Sequence, residues 1–255
     1  MYSPIFQILD KNRAPLIGER VRGVINVNSN NNILIKLKMN SYTFIKRFRS
    51  KRNRVYLVRN PAITRQKRNC VLKVFSNPGD LVKEAAFLEI LKQQGVRVPR
   101  VLHRGSNYLL LEYIDGENLA DFVEQMEKKG VPPEDVYPIA DSLCKWLKSF
   151  YRAAQEALHK RIIMKDVNLR NYIVRDGKIY GIDFEEAGEG SPEEDFGKIC
   201  AFLLTYRPEY TLLKLELVRY IFGTAVKKLK LNPDLIMNEL VKELLAIKRR
   251  RKGSN

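Results

Sequence analysis

The sequence predicts an α+β fold in two lobes, a sheet first and helices afterwards. Three observations carry this. The first 75 residues break into short alternating or β-branched runs, a strand at Tyr108–Tyr113 runs into Asp115-Gly116, and beyond that point apolar residues recur at helical spacing.

Strands at Val21–Val27 and Ile33–Leu37 flank the polar Asn28–Asn32 cluster, which suits a turn. Tyr42–Phe48, Val55–Val58 and Val71–Phe75 follow, separated by a basic turn and by a longer loop from Asn60 to Asn69. Asn77-Pro78-Gly79-Asp80 stops the sheet and offers Asp80 as a helix cap. From Leu81 to Leu91 the apolar residues at 81, 85, 88 and 91 share one helical face. Val101–Leu102 and Tyr108–Tyr113 are two further strands. After Gly116, Asn118–Lys129 and Pro138–His159 are helical, Ile162–Ile182 holds short strands, and helix resumes from about Glu194. Lys248–Lys252 is a basic end expected to fray.

Composition excludes several classes. No run approaches the ~18 apolar residues of a membrane span. The N-terminus has no basic head followed by an apolar core, so no signal peptide is expected. Cys70, Cys144 and Cys200 are odd in number and lack paired-ligand spacing, so each reads as a small buried hydrophobe. Two histidines, His103 and His159, leave little from which to build a zinc site or a histidine triad. A reducing cytoplasm fits this composition. The charge is distributed unevenly. Residues 11–75 hold 17 Lys and Arg against one acid, Glu19, while the rest of the chain has 29 basic and 28 acidic residues. A solvated surface normally mixes signs, because self-repulsion at this density is destabilising, so a polyanionic partner is expected.

Candidate chemistry centres on Asp166, which Asn171 follows five residues later at the start of a short apolar strand. Twelve residues beyond Asn171, the strand Lys178–Ile182 delivers Asp183-Phe184. Phosphoryl transfer needs such a set: a carboxylate to orient the attacking hydroxyl and two oxygen ligands to hold magnesium against a triphosphate. Upstream, Lys73 lies inside the apolar strand Val71–Phe75, where an unpaired charge is costly, and Glu84 lies eleven residues later on the next helix, placed to pair with it. Lys73 therefore reads as a phosphate-binding cation. Leu109–Gly116 reads as a strand entering a hinge, with backbone groups of Glu112, Tyr113 and Ile114 available to an adenine edge.

In their order and spacing, Lys73, Glu84, the hinge, Asp166, Asn171 and Asp183 resemble the protein-kinase-like superfamily over residues ~44 to ~205. The compact hinge, the Lys-Glu-Ala-Ala-x-Leu helix and the short run after Asp183 look most like its atypical archaeal branch. That branch holds the small kinase subunit of the KEOPS tRNA-modification complex and the RIO kinases, and in size, compact architecture and basic character the chain also resembles archaeal tRNA kinases acting on a ribose 2′-hydroxyl. The resemblance implies a two-lobed kinase fold: a basic β extension over 1–43, an N-lobe over 44–114 and a C-lobe over 115–255. It implies ATP and Mg2+ as cofactors. Lys73 would contact the α- and β-phosphates with Glu84 positioning it. Asp166 would act as base, and Asn171 and Asp183 would bind the metal.

Three departures stand out. Counted back from Val55, the phosphate loop carries Phe48, Ser50 and Asn53 where glycines belong, and no glycine lies between Gly23 and Gly79. Either Ser50, Lys51 and Arg52 grip the phosphates by side chain, or the loop instead faces a polyanionic substrate. Met164 replaces the usual catalytic-loop His, and Glu185 follows Asp183-Phe184 in place of Gly. A literal Asp-Phe-Gly stands at Asp195-Phe196-Gly197, where it opens a helix read as Gly197–Tyr206 instead of closing a strand. Asp195 there is either a brace for the catalytic loop or a simple helix N-terminal acid.

Only Glu185–Glu194 separates the metal Asp from that helix, and no Ala-Pro-Glu follows, so the peptide-docking platform of protein kinases is largely missing. With the basic first quarter, this makes tRNA or another structured RNA the expected acceptor. Arg47, Arg49, Lys51, Arg52 and Arg54 would dock its backbone, and Lys165 and Arg170 would hold a phosphate near Asp166. Tyr42, Phe44, Phe48 and Tyr56 interleave with the basic residues, either as core or as stacking platforms. The alternatives are an atypical serine/threonine kinase with a basic docking lobe and a catalytically silent kinase-like RNA-binding module.

Overall fold

The structure is a computed structural model that describes residues 24–27, 33–37, 40–50, 52–60 and 69–253. Lys51, the Asn28–Asn32 turn and most of the predicted Asn60–Asn69 loop lie outside the described residues. The chain divides into two compact units. One comprises residues up to Lys92 together with Pro99–Ile114, and the other comprises Gln93–Val98 and everything from Asp115.

Unit 1 is built on seven strands: β1 (Val24–Val27), β2 (Ile33–Leu37), β3 (Asn40–Phe48), β4 (Arg54–Arg59), β5 (Asn69–Val74), β6 (Val101–Arg104) and β7 (Tyr108–Glu112). They form one sheet in the order β1-β2-β3-β4-β5-β7-β6, with every neighbouring pair antiparallel. Period-2 alternation sends Cys70, Leu72 and Val74 of β5 to one face, where they pack with Tyr42, Val58, Tyr108 and Leu110. Tyr42 is therefore core, and Phe44 meets Tyr56 edge-on at 6.0 Å. Helix α1 (Pro78–Gln93) follows β5 and buries Leu81, Ala85, Leu88 and Leu91, the predicted face. Its cap is Asn77, whose Oδ1 accepts from Gly79 N at 2.9 Å, while Asp80 lies inside the first turn. Pro78 fits this start, since its missing N–H would have no helical partner.

Unit 2 contains β8 (Glu117–Asn118), α2 (Leu119–Lys128), α3 (Pro133–Leu158), β9 (Ile162–Ile163), a 3-10 turn (Leu169–Asn171), β10 (Tyr172–Arg175), β11 (Lys178–Gly181) and β12 (Gly188–Glu189). Three helices follow: α4 (Pro192–Thr205), α5 (Leu212–Leu229) and α6 (Pro233–Lys252). The 26-residue α3 begins before Pro138, which lies within it. Pro138 forgoes the bond a helical N–H would make to Glu134 O, and Glu134 and Asp135 in the first turn favour the helix start. Hairpin β10–β11 turns on Asp176 and Gly177, both at positive φ (50° and 66°), the geometry of a two-residue turn of type I′. Beneath it, Trp146 stacks on Phe150 at 5.6 Å and meets Tyr172 edge-on at 5.6 Å, and Phe184 stacks on Phe150 at 6.0 Å. These rings are all but fully buried and form an aromatic floor beneath the hairpin.

Helix α4 starts at Pro192, five residues before the predicted start. Ser191 and Glu194 make a capping box ahead of it. Asp195-Phe196-Gly197 thus lies within a helix, Asp195 in its first turn, and does not close a strand. Gly197 lets α6 approach closely: a Cβ there would stand 2.7 Å from Glu239 Cβ and Leu240 N and 2.8 Å from Ile236 O. Gly197→Ala is expected to destabilise unit 2 by about 1–3 kcal/mol through overpacking, measured by urea unfolding. A change under about 0.5 kcal/mol would contradict this packing.

Candidate active site

Lys73 is on an interior strand, between Val55 of β4 and Leu109 of β7. The lysine is 5% exposed, and its Nζ donates to Glu84 Oε2 at 2.5 Å. Glu84, on α1, is 2% exposed. An ammonium so deeply buried is tolerable only with its carboxylate, and losing either partner would strand the other. The Phe75 ring centroid lies 5.0 Å from Nζ.

The predicted phosphate loop is the β3–β4 hairpin, with Phe48 opposite Val55. Arg49, Ser50 and Arg52 are exposed on it, as are Arg47 and Arg54 on the strands. Arg47 pairs with Tyr56, two residues from Arg54, so the two arginines share a sheet face. Asn53, at a position where glycine was expected, is buried, and its Oδ1 accepts from Ser76 N at 3.3 Å. Ser76 Oγ in turn donates to Arg52 O at 3.2 Å. The hairpin is tied by side chains to the segment after β5, which is the work Asn53 does in place of a glycine. At the predicted hinge, Glu112 N–H is already donated to Arg100 O at 2.9 Å, and its carboxylate pairs with Arg100 Nε at 3.2 Å. The N–H and carboxylate of Glu112 are thus committed within unit 1. Tyr113 is half-buried and Ile114 buried.

In unit 2 the loop Met164–Asn171 is held by its own polar groups. Lys165 has φ 63°, which reverses the chain before Asp166. Asp166 is exposed, and its Oδ1 accepts from Asn168 N at 3.3 Å. Asn171 Nδ2 donates to Asp166 O at 3.1 Å, which turns Asn171 Oδ1 away as a free acceptor. Asn168 Oδ1 accepts from Arg170 N at 3.0 Å and from Tyr206 OH at 2.8 Å. Ile182 N–H donates to Asn171 O at 2.9 Å, so Asp183 follows directly beside Asn171. Asp183 itself has φ 66°, a strained conformation for a non-glycine residue and one that recurs at functional sites. Arg170 is not a free cation: its Nη1 donates to Asp121 Oδ1 on α2 at 2.7 Å. Sequence reasoning missed Asp121, Asn168 and Tyr206, since partners 38 and 49 residues apart leave no local signal.

Behind the loop sits Asp195, fully buried. Its Oδ2 accepts from Met164 N at 2.8 Å and Tyr151 OH at 3.1 Å, and its Oδ1 accepts from Lys165 N at 3.0 Å. Of the two sequence readings, the brace is the one the structure adopts. Met164, in place of histidine, contributes only its backbone N–H to this arrangement, and its Sδ accepts from Tyr172 OH at 3.4 Å. Burial pushes the Asp195 carboxyl up from 3.8 to about 6, against the three hydrogen bonds and Lys198, which favour the ionised form.

After Asp183 the chain turns back at once. Ala187 N–H donates to Phe184 O at 3.2 Å, and β12 pairs with β9 just upstream of Met164. The arrangement offers an exposed carboxylate on a braced loop with two hard oxygen donors, Asn171 Oδ1 and the Asp183 carboxylate, downstream of it. Such donors suit magnesium.

Residues 45–150 match a family model described as a phosphotransferase enzyme family. Over 105 residues the chain is 29% identical to the KEOPS complex subunit Bud32 of Pyrococcus abyssi (strain GE5 / Orsay), a match covering 40% of this chain and 42% of that protein. The match thus spans about two fifths of that curated relative. Among solved structures, the streptomycin-ATP-APH(2")-IIa ternary complex aligns with a TM-score of 0.54 at 13% identity, covering 99% of this chain and 93% of that one. The apo form of a thermostable mutant of the aminoglycoside phosphotransferase APH(4)-Ia aligns with a TM-score of 0.53 at 13% identity, covering 78% and 84%. The chain has the protein-kinase-like fold. In that fold the sheet-bearing unit carries the Lys73–Glu84 pair and the helical unit carries the acids.

A pH test follows from Asp195. Its folded value lies above the ordinary one, so its contribution to stability is greatest below about pH 4. That contribution is lost as pH rises through 6, about 3 kcal/mol in all. The loop needs the opposite state, because only the carboxylate accepts from Met164, Lys165 and Tyr151 together. The amide proton resonances of Met164 and Lys165 are expected to titrate together near pH 6, and to lose that step in Asp195→Asn. A midpoint near 4 would contradict the burial argument.

Proposed function

We propose that the protein is an ATP-dependent kinase that transfers the γ-phosphate of ATP to a ribose 2′-hydroxyl of tRNA or another structured RNA. Asp166 accepts the hydroxyl proton as the hydroxyl oxygen bonds to the γ-phosphorus. The bond from that phosphorus to the β–γ bridging oxygen breaks, and ADP leaves. Lys73, oriented by Glu84, supplies positive charge to the α- and β-phosphates. Asn171 and Asp183 are the residues that would hold magnesium, which when bound neutralises charge on the triphosphate. ATP is part of the ternary complex whose fold this chain shares, which supports the nucleotide.

The acceptor class rests chiefly on the short return from Asp183 to α4. With β12 laid against β9 and α4 starting at Pro192, there is no extended segment on which a peptide could dock. Charge narrows the choice further. Aminoglycosides, the acceptors named for the structural neighbours, are polycations. A chain with 17 Lys and Arg against one acid over residues 11–75 repels a polycation and attracts phosphodiesters. The exposed Arg47, Arg49, Arg52 and Arg54 belong to that stretch.

The test incubates the protein with γ-labelled ATP, magnesium and either bulk tRNA, a mixture of soluble proteins or an aminoglycoside, alongside Asp166→Ala. Label in tRNA, removed by 2′-specific dephosphorylation and reduced at least 100-fold in the variant, is the expected result. Label confined to protein or to the aminoglycoside would overturn the RNA reading.

A further inference from the structure

Among the described residues nine large hydrophobic side chains are exposed, and four of them, Leu235, Met237, Val241 and Leu245, stand on the single helix α6. The inner face of α6 is accounted for. Ile236, Leu240 and Ile247 are buried, and Gly197 of α4 lies close against Ile236, Glu239 and Leu240. Met237, Val241 and Leu245, at 47, 47 and 50% exposure, form a row on another side, each one turn beyond the last. Asp234 and Lys248 stand seven residues before and after Val241, which puts both within about 20° of it round the helix. Along about 21 Å of helix the stripe therefore runs from an acid through three apolar residues to a base.

Charges beside this stripe are paired within the chain, and the two at its ends are not. Lys242 pairs with Glu239 at 3.1 Å, Arg250 with Glu243 at 2.6 Å and Arg251 with Glu209 at 2.7 Å. Asp234 and Lys248 are exposed and make no ion pair among the described residues. The order of residues makes the stripe complementary to its own reverse. Val241 lies midway between Met237 and Leu245, and also midway between Asp234 and Lys248. A second copy laid antiparallel and centred on Val241 sets Met237 against Leu245 and Asp234 against Lys248, each contact occurring twice, as a two-fold interface requires. The helix dipoles then oppose, whereas a parallel pair would crowd Arg249–Lys252 of both copies together. Nor does net charge forbid the contact, because the excess lies in residues 11–75 and the rest of the chain has 29 basic against 28 acidic residues. Phosphodiesters do not suit the stripe, which would offer them apolar side chains and a carboxylate.

We propose that α6 is a self-association surface on which two copies of this chain pair antiparallel between Asp234 and Lys248, with Val241 at the two-fold axis. The surface is separate from the residues assigned to phosphoryl transfer, and the pairing goes beyond that reading without depending on it. One helix face is small beside the ~800 Å2 per partner of stable complexes, so the dimer forms only above about 10 μM.

The test follows mass by sedimentation from low micromolar to several hundred micromolar protein. Wild type is expected to shift toward the dimer, and Val241→Asp to stay monomeric. Asp234→Lys and Lys248→Asp should each weaken association several-fold, and combining them should restore it. All four variants change exposed positions, so their folding is expected to be intact. Register is checked by oxidative cross-linking, for which Cys70, Cys144 and Cys200, all buried, leave a clear background. Met237→Cys mixed with Leu245→Cys should give a cross-linked dimer, while neither variant alone should do so. A monomeric wild type at several hundred micromolar would overturn the proposal. So would self-linking of Met237→Cys alone, which means a parallel pair, or a dimer that Val241→Asp leaves intact, which means another surface. Each of these readouts is independent of whether ATP or RNA is used.

Discussion

Asp195 accepts two backbone N–H groups of the loop that carries Asp166, and it does so with no access to solvent. Much of unit 2 is arranged around that carboxylate. Tyr151 reaches it from α3, the capping box at Ser191 and Glu194 fixes where α4 begins, and Gly197 lets α6 close over the same helix. Helix α4 also grips the loop at its other end, because Tyr206 follows directly after its last turn and donates to Asn168. A loop held at two points by one helix keeps Asp166 and Asn171 in fixed relation without contributions from long side chains. The cost is a buried charge whose pKa is pushed up to about 6, and hydrogen bonds from the loop itself partly offset it.

Much of this was legible in the sequence. Alternation located the strands on either side of Lys73, and an apolar helix right after β5 made Glu84 its natural partner. Asp166, Asn171 and Asp183 stood out because an acid, an amide and a second acid were each tied to a strand end. Boundaries were less legible. Pro138 looks like a helix start but lies inside α3, whose buried apolar face outweighs the one backbone hydrogen bond that proline forgoes. Asp80 looks like a cap, yet Asn77 does the capping with Pro78 after it. The capping box at Ser191 was readable and would have placed Asp195 inside α4 from the start. The Asp121–Arg170 and Tyr206–Asn168 pairs were not readable, because tertiary packing alone brings them together.

The departures from the kinase-like motif acquire physical roles. Asn53 substitutes side-chain hydrogen bonding for backbone freedom, and Met164 keeps the backbone donor that the loop requires. Phe184 anchors the strand end into the aromatic floor, leaving Asp183 in its strained conformation with Glu185 buried after it. None of these changes removes an oxygen ligand or the exposed carboxylate. Lys73, Glu84, Asp166, Asn171 and Asp183, the set proposed for phosphoryl transfer, are all present, and the exchanges fall on residues around them.

The proposed function divides labour between two acids, Asp166 serving the acceptor and Asp183 the metal-bound nucleotide. Titration calorimetry of ATP with magnesium into Asp166→Ala and Asp183→Ala tests it most directly. The account predicts near-wild-type, magnesium-dependent affinity in Asp166→Ala and loss of the magnesium dependence in Asp183→Ala. Equal affinity and equal magnesium dependence in wild type and Asp183→Ala would contradict it.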